Sequence, residues 1–457
     1  MKRRDFLKLV GMGGAGAALM LPAMRVFAAT DSYNGPLWLF VNATGGWDPT
    51  SLWDPKGYTD PTDPLRLNNY PKTAIGQVAG STLRYAPPPD SFAGDTTLYT
   101  AKAFYDKYYR KMLVINGVDT NTNSHEDGQR YSWSGELGRS GFPSIGALIA
   151  GTLAPLRPLS YITNGGYSIT GGLTVASRLD PSGLAPMYEI AYPNRSQNAS
   201  SPASRLYFPE GGTDVRGLIA ATSDARTQAL LDAQHLSRAK EAIGKLQASR
   251  SGPNRFSALA DNLNAFAQAP QANFNGRGAA FSLYQQGHIA LAAYESGVAS
   301  AVQLSMGGFD THSNHDANQY PRLMDLLQGL DAILSEAQNR GLADRIVLMV
   351  GSDFGRTNKY NVNAGKDHWP ITSMMMMGNA VQQIRGNRTF GATTDNQMAL
   401  WLNPTTLTPV PASAAGAVRL TPGVIHQSLR RLAGIDTSSA ASNTFQLTDQ
   451  QQVNLFA

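Results

Sequence analysis

The chain has 457 residues, 42% hydrophobic and 16% charged, with 45 Gly, 26 Pro and no Cys, which exceeds the roughly 100–200 residues of an ordinary domain and allows a sizeable core. The missing cysteine excludes a disulfide scaffold, a thiolate-ligated metal or cluster, a thiol nucleophile and a lipid-anchored Cys, so any chemistry rests on O and N ligands or on a hydroxyl. The formal charge of +5 lies almost wholly in residues 1–28, where Lys2, Arg3, Arg4, Lys8 and Arg25 face Asp5 alone, and the near-neutral remainder argues against nucleic acid as a partner.

Residues 1–28 read as an export leader with a positive start, an apolar Gly/Ala-rich stretch from Leu9 to Ala23 and small residues around Val26-Phe27-Ala28. Five small residues, Gly13 to Ala17, would give it no packing face as a helix of the mature domain. The start Arg3-Arg4-Asp5-Phe6-Leu7-Lys8 resembles the twin-arginine signal, which implies passage through that export machinery to the periplasm or beyond. No apolar run reaches the roughly 18 residues of a membrane span, so none is expected in the mature chain.

Leu37 to Val41 is short, almost wholly apolar and followed by Asn-Ala-Thr-Gly-Gly, the pattern of a strand buried on both faces. Met112 to Gly117, Ala299 to Gly307, Arg345 to Gly351 and Met374 to Gly378 repeat that length and a polar or glycine-rich exit. The clearest helical period runs from Pro321 to Arg340, with Pro in the first turn and Gly341 as C-cap. Such alternation predicts an α/β fold, a doubly wound, mostly parallel sheet with helices on both faces. Residues 50–100 read as a loop-bearing peripheral insertion, and about 213–295 as a helical insertion or cap.

Four predicted strand exits carry oxygen- or imidazole-bearing clusters. They are Gly45-Gly46-Trp47-Asp48; Thr122-Asn123-Ser124-His125-Glu126-Asp127; Gly307-Gly308-Phe309-Asp310-Thr311-His312 with His315; and Ser352-Asp353-Phe354-Gly355-Arg356 followed by Lys366-Asp367-His368. In a doubly wound sheet these loops converge on one crevice, where Asp and His together suit Zn, Mn or Mg. Taken singly, Gly-Gly-x-Asp reads first as a tight turn, Asp-Thr-His as readily as a helix cap beside a surface His, and Asp367-His368 as a solvated loop. His235, His288 and His426 lie in helical patterns and read as structural.

The strings GGFDTHSNH and VLMVGSDFGRTN…KDHW, with GGWD after the first strand, resemble an exported bacterial family known as a domain of unknown function within the alkaline phosphatase and sulfatase superfamily. The resemblance implies two metals on a parallel sheet. It implies Asp310, His312 and His368 as ligands of one metal, Asp48 and Asp353 as ligands of the other, Ser124 as nucleophile with Thr122 as a competitor, and Arg356 as a clamp on an anionic oxygen. His315 is an alternative to His312. Phe354 stands where the superfamily has a His and cannot ligate, which puts the second metal in doubt. The function so implied is exported, metal-dependent hydrolysis of small phosphate or sulfate esters. The alternative is a non-catalytic periplasmic or cell-surface binding protein that keeps the fold.

Overall fold

Alternation inside single strands sets the architecture. In β1 (Leu37–Ala43) every residue is buried, and Leu37, Leu39, Val41 and Ala43 enter one core while Trp38 and Phe40 enter the other, as a strand covered on both faces requires. The computed structural model describes residues 33–191, 215–250, 253–378, 384–448, 451, 453, 455 and 456; the leader expected over 1–28 lies outside them.

The main sheet has eight strands: β1, β2 (Met112–Asp119), β3 (Tyr161–Thr163), β4 (Ala176–Ser177), β5 (Ala301–Met306), β6 (Ile346–Ser352), β7 (Ile371–Met377) and β8 (Arg388–Phe390). Their spatial order is β8-β2-β7-β6-β1-β5-β3-β4. Strand β7 runs antiparallel to β2 and β6, and the other pairings are parallel. On one face lie α3 (Gly278–Glu295) and α4 (His315–Asn339), which contribute Leu283, Ile289, Leu323 and Leu330 to its core. The other face is covered by α1 (His125–Ser134), α2 (Ile145–Leu153) and α5 (Pro422–Leu432) through Trp133, Leu148 and Ile425. The expected doubly wound α/β class is the observed one.

Several boundaries differ from the sequence reading. Helix α4 begins at His315, six residues before Pro321. Proline cannot extend the helical ladder toward residue 317, and the turn ahead of it is held instead by His315, bonded to Thr311 and Asp48, and by Asp316, bonded to Tyr360 and Asn69. The predicted helical insertion is not all peripheral, because α3 is a core helix with eleven buried residues. Nor is 50–100 merely peripheral, since Asn68 and Tyr70 are buried beneath the β1 exit loop and bond Thr50. Among the described residues no helix is long and apolar enough to cross a membrane.

His426 on α5 is fully buried; its Nε2–H donates to the Ser132 carbonyl, and its Nδ1 has no partner among the described residues. Burial pushes its pKa down to about 3. The folded ring refuses a proton that the unfolded ring accepts near pH 6.5, so its contribution is complete above that pH and is lost as pH falls toward 3, by about 1.4 kcal/mol per unit. Denaturant titrations between pH 4 and 7 are expected to show His426→Gln with a shallower slope than the parent by one proton; equal slopes would refute it.

Candidate metal centre

The topology brings the C-terminal ends of β1, β2, β5 and β6 and the start of β7 to one edge. Two glycines let the loops meet there. Gly45 and Gly46 have φ of +121° and +78°, and a Cβ would lie 2.7 Å from the Asp310 nitrogen at the first and 2.4 Å from the Phe354 ring at the second. Just beyond β6, residues Gly355–Arg356 pair antiparallel with His368–Trp369, which sets His368 opposite Arg356.

At this edge three imidazoles surround the Asp310 carboxylate. His312 Nε2 is 3.0 Å and His368 Nε2 3.4 Å from Asp310 Oδ1, and His125 Nε2 is 3.5 Å from Oδ2. His312 Nε2 and His368 Nε2 are 3.0 Å apart. His125, Asp310 and His368 each offer a ligand atom within 4.8 Å of the others. Tetrahedral bonds of about 2.0–2.1 Å place ligand atoms roughly 3.3–3.5 Å apart, so the donor set fits a small divalent cation.

The opposite nitrogens fix the tautomers. His368 Nδ1 lies 2.7 Å from the Asn123 carbonyl, His312 Nδ1 2.8 Å from Asp367 Oδ1 and His125 Nδ1 2.8 Å from Asp353 Oδ2. All three partners are obligate acceptors, so each Nδ1 carries the hydrogen, and in the neutral rings three Nε2 lone pairs face the Asp310 carboxylate, whose own donor is Arg356. Burial, with Arg356 and His125 nearby, lowers the His368 pKa, which disfavours relieving that repulsion with a proton there. The Asp353 bond raises the His125 pKa. Burial alone would raise Asp310, but the Arg356 hydrogen bond and charge hold it below the usual carboxylate range.

Asp310, His312 and His368 are thus together as the resemblance implied, and His125 joins them. The sequence shows it as a His at a strand exit, a position for which the resemblance implies no ligand role. His315 is no substitute for His312: it is fully buried, receives the Thr311 hydroxyl at Nδ1 (2.8 Å) and donates from Nε2 to Asp48 Oδ2 (3.0 Å).

Three further expectations are corrected. Asp48 is not in the cluster. Its Oδ2 accepts from Lys366 Nζ at 2.7 Å, from His315 and from Ser51, and its Oδ1 accepts from Thr50. Burial would raise its pKa, yet Lys366 and His315 hold it far below the ordinary carboxylate value. Asp353 does not meet Asp48 on a shared metal: its Oδ2 accepts from Gly45 N–H, His125 and Gln129, so it orients His125, while its Oδ1 has no partner among the described residues. Arg356 is no substrate clamp, because the fully buried guanidinium donates to the carbonyls of Gly45, Gly46 and Lys366 and to Asp310. It staples three loops.

Ser124 is exposed and caps α1, accepting the Asp127 amide at 3.4 Å, while Thr122 Oγ1 accepts the Ser124 amide. Phe354 is fully buried, with its ring 4.4 Å from His368 and 4.8 Å from His125, and forms an apolar backing for both imidazoles.

A family profile described as "Protein of unknown function (DUF1501)" matches residues 37–414, and the chain belongs to that family. No curated protein matches it. Among solved structures it overlaps the PsFucS1 sulfatase from Pseudoalteromonas sp. at 10% identity and TM-score 0.37, over 93% of this chain and 74% of that one. It overlaps the alkaline phosphatase of the Antarctic bacterium TAB5 at 9% and 0.33, over 80% and 96%. The phosphonate monoester hydrolase of Agrobacterium radiobacter follows at 12% and 0.32, over 87% and 74%.

Proposed function

We propose that this member of the DUF1501 family is an exported, metal-dependent hydrolase of small phosphate or sulfate esters, with Asp310, His312, His368 and His125 as its metal position. One observation carries the reading: three imidazole Nε2 lone pairs converge on the Asp310 carboxylate at an exposed sheet edge, with Arg356 holding that carboxylate from behind. A divalent cation held there supplies Lewis-acid polarisation of an ester oxygen. The protein's own part is positional. Asp353, Asp367 and the Asn123 carbonyl fix the three rings, Arg356 fixes Asp310, and Phe354 excludes water from beneath.

Ser124 is assigned the nucleophile. It immediately precedes His125 and follows Asn123, whose carbonyl holds His368, and among the described residues its Oγ only accepts the cap bond, so its O–H is not committed there. The test is a screen of aryl and sugar phosphates and sulfates with protein purified without chelators. Turnover is expected in the parent and lost in Ser124→Ala at unchanged metal content, with only about 1 kcal/mol of stability lost from the cap. Full turnover in Ser124→Ala would reduce the residue to a cap, and a metal-loaded parent inert toward every ester would overturn the hydrolase reading.

The second reading, a non-catalytic exported binding protein, is favoured by Arg356, the expected anion clamp, being consumed by carbonyls. Export itself rests on Arg3-Arg4. Arg3→Lys with Arg4→Lys is expected to leave precursor in the cytoplasm, and normal secretion of that variant would rule out the twin-arginine route.

A further inference from the structure

The second metal implied by the resemblance has no free ligands at Asp48, yet the surroundings of Asp48 are those of a cation site. Lys366 Nζ sits among Asp48 Oδ2 at 2.7 Å, Asn68 Oδ1 at 2.8 Å and Thr50 Oγ1 at 3.4 Å. His315 Nε2 lies 3.0 Å from the same Asp48 oxygen, and Ser51 Oγ is 3.0 Å from it and 3.3 Å from Asn68 Oδ1. Asp48, His315 and Lys366 are fully buried and Asn68 and Thr50 nearly so. These groups come from the β1 exit loop, the 50–100 segment and the start of α4, so three chain segments close around the ammonium that the loop before His368 brings. A buried carboxylate with a carboxamide oxygen and a hydroxyl is a hard-cation donor set, steadied by the His315 Nε2–H that donates to Asp48, and an ammonium brings one positive charge and three donors to the same spot.

We infer that the Asp48–Thr50–Asn68–His315 cradle is a second cation-binding position whose resident cation is the Lys366 side chain, so that the native protein takes up one divalent ion and not two. The count of one rests on the metal centre proposed above; the cradle does not. Its further consequence is mechanical, because His315, held on Asp48, receives the Thr311 hydroxyl. The tethered cation therefore anchors the loop that carries Asp310 and His312.

The experiment counts bound zinc or manganese per chain by equilibrium dialysis and elemental analysis, in the parent, in Lys366→Ala and in Lys366→Ala with Asp48→Asn. The expected counts are one, two and one. A Lys366→Ala chain that folds only when the divalent ion is supplied gives the same answer through folding. If it folds in neither condition, Lys366→Ser, which leaves a hydroxyl in the vacated space, is counted in its place with the same expectation of two. A parent that binds two ions overturns the inference, as does a folded Lys366 variant that binds no more than the parent. A parent binding none beside a Lys366→Ala that binds one would instead remove the metal centre and leave the cradle.

Discussion

His368→Ala is expected to lose divalent-metal binding by more than 100-fold relative to the parent, measured by competition with a chromophoric chelator. The ring places its Nε2 3.0 Å from His312 Nε2 and is fixed by a backbone carbonyl rather than by an adaptable side chain. Asp310→Ala is expected to match it, because that carboxylate lies 3.0–3.5 Å from all three Nε2 atoms. Changing the groups behind the ligands costs less: Asp367→Ala, behind His312, and Asp353→Asn, behind His125, are each expected to lose about 10–100-fold. Uptake requires neutral imidazoles, so affinity falls as pH drops below neutral, and first at His125, whose pKa Asp353 raises. Equal affinity in His368→Ala and parent would show that the ring is not a ligand.

Lys366→Met is expected to destabilise the fold by about 3–5 kcal/mol in the absence of added metal, measured by chemical denaturation, because it leaves the Asp48 carboxylate charged and buried without its cation. Removing both charges, as Lys366→Met with Asp48→Asn, is expected to recover a large part of that loss, since the penalty belongs to the uncompensated ion. The loss should also depend on pH. Asp48 is held well below its unfolded pKa, so its stabilising contribution is present above about pH 4 and disappears as pH falls further. Lys366→Met abolishes that acid-labile portion. A Lys366→Met chain as stable as the parent would mean that the pair contributes nothing.

What the sequence disclosed follows from what is local. β1, β2, β5 and β6 are runs buried on both faces, and their apolar composition is readable without knowing their neighbours. The two- and three-residue strands β3, β4 and β8 are too short to carry a period, and the reversed direction of β7 depends on partners far away in the chain. The same division runs through the site. Asp310, His312 and His368 announce themselves by residue type at strand exits, and so, less plainly, does His125. The fates of Asp48 and Arg356 do not. Lys366 lies 318 positions from Asp48, and Arg356 is saturated mainly by backbone carbonyls, which no residue type advertises. The Asn68 contribution was hidden in a segment whose composition reads as loop.

Anomalous diffraction from crystals of the metal-loaded protein tests the single-metal account most directly. The account predicts one peak, about 2.0–2.2 Å from an Asp310 carboxylate oxygen and from His368 Nε2, with none beside Asp48 in the parent. No peak at that position, or a peak at Asp48 with Lys366 displaced, would contradict it.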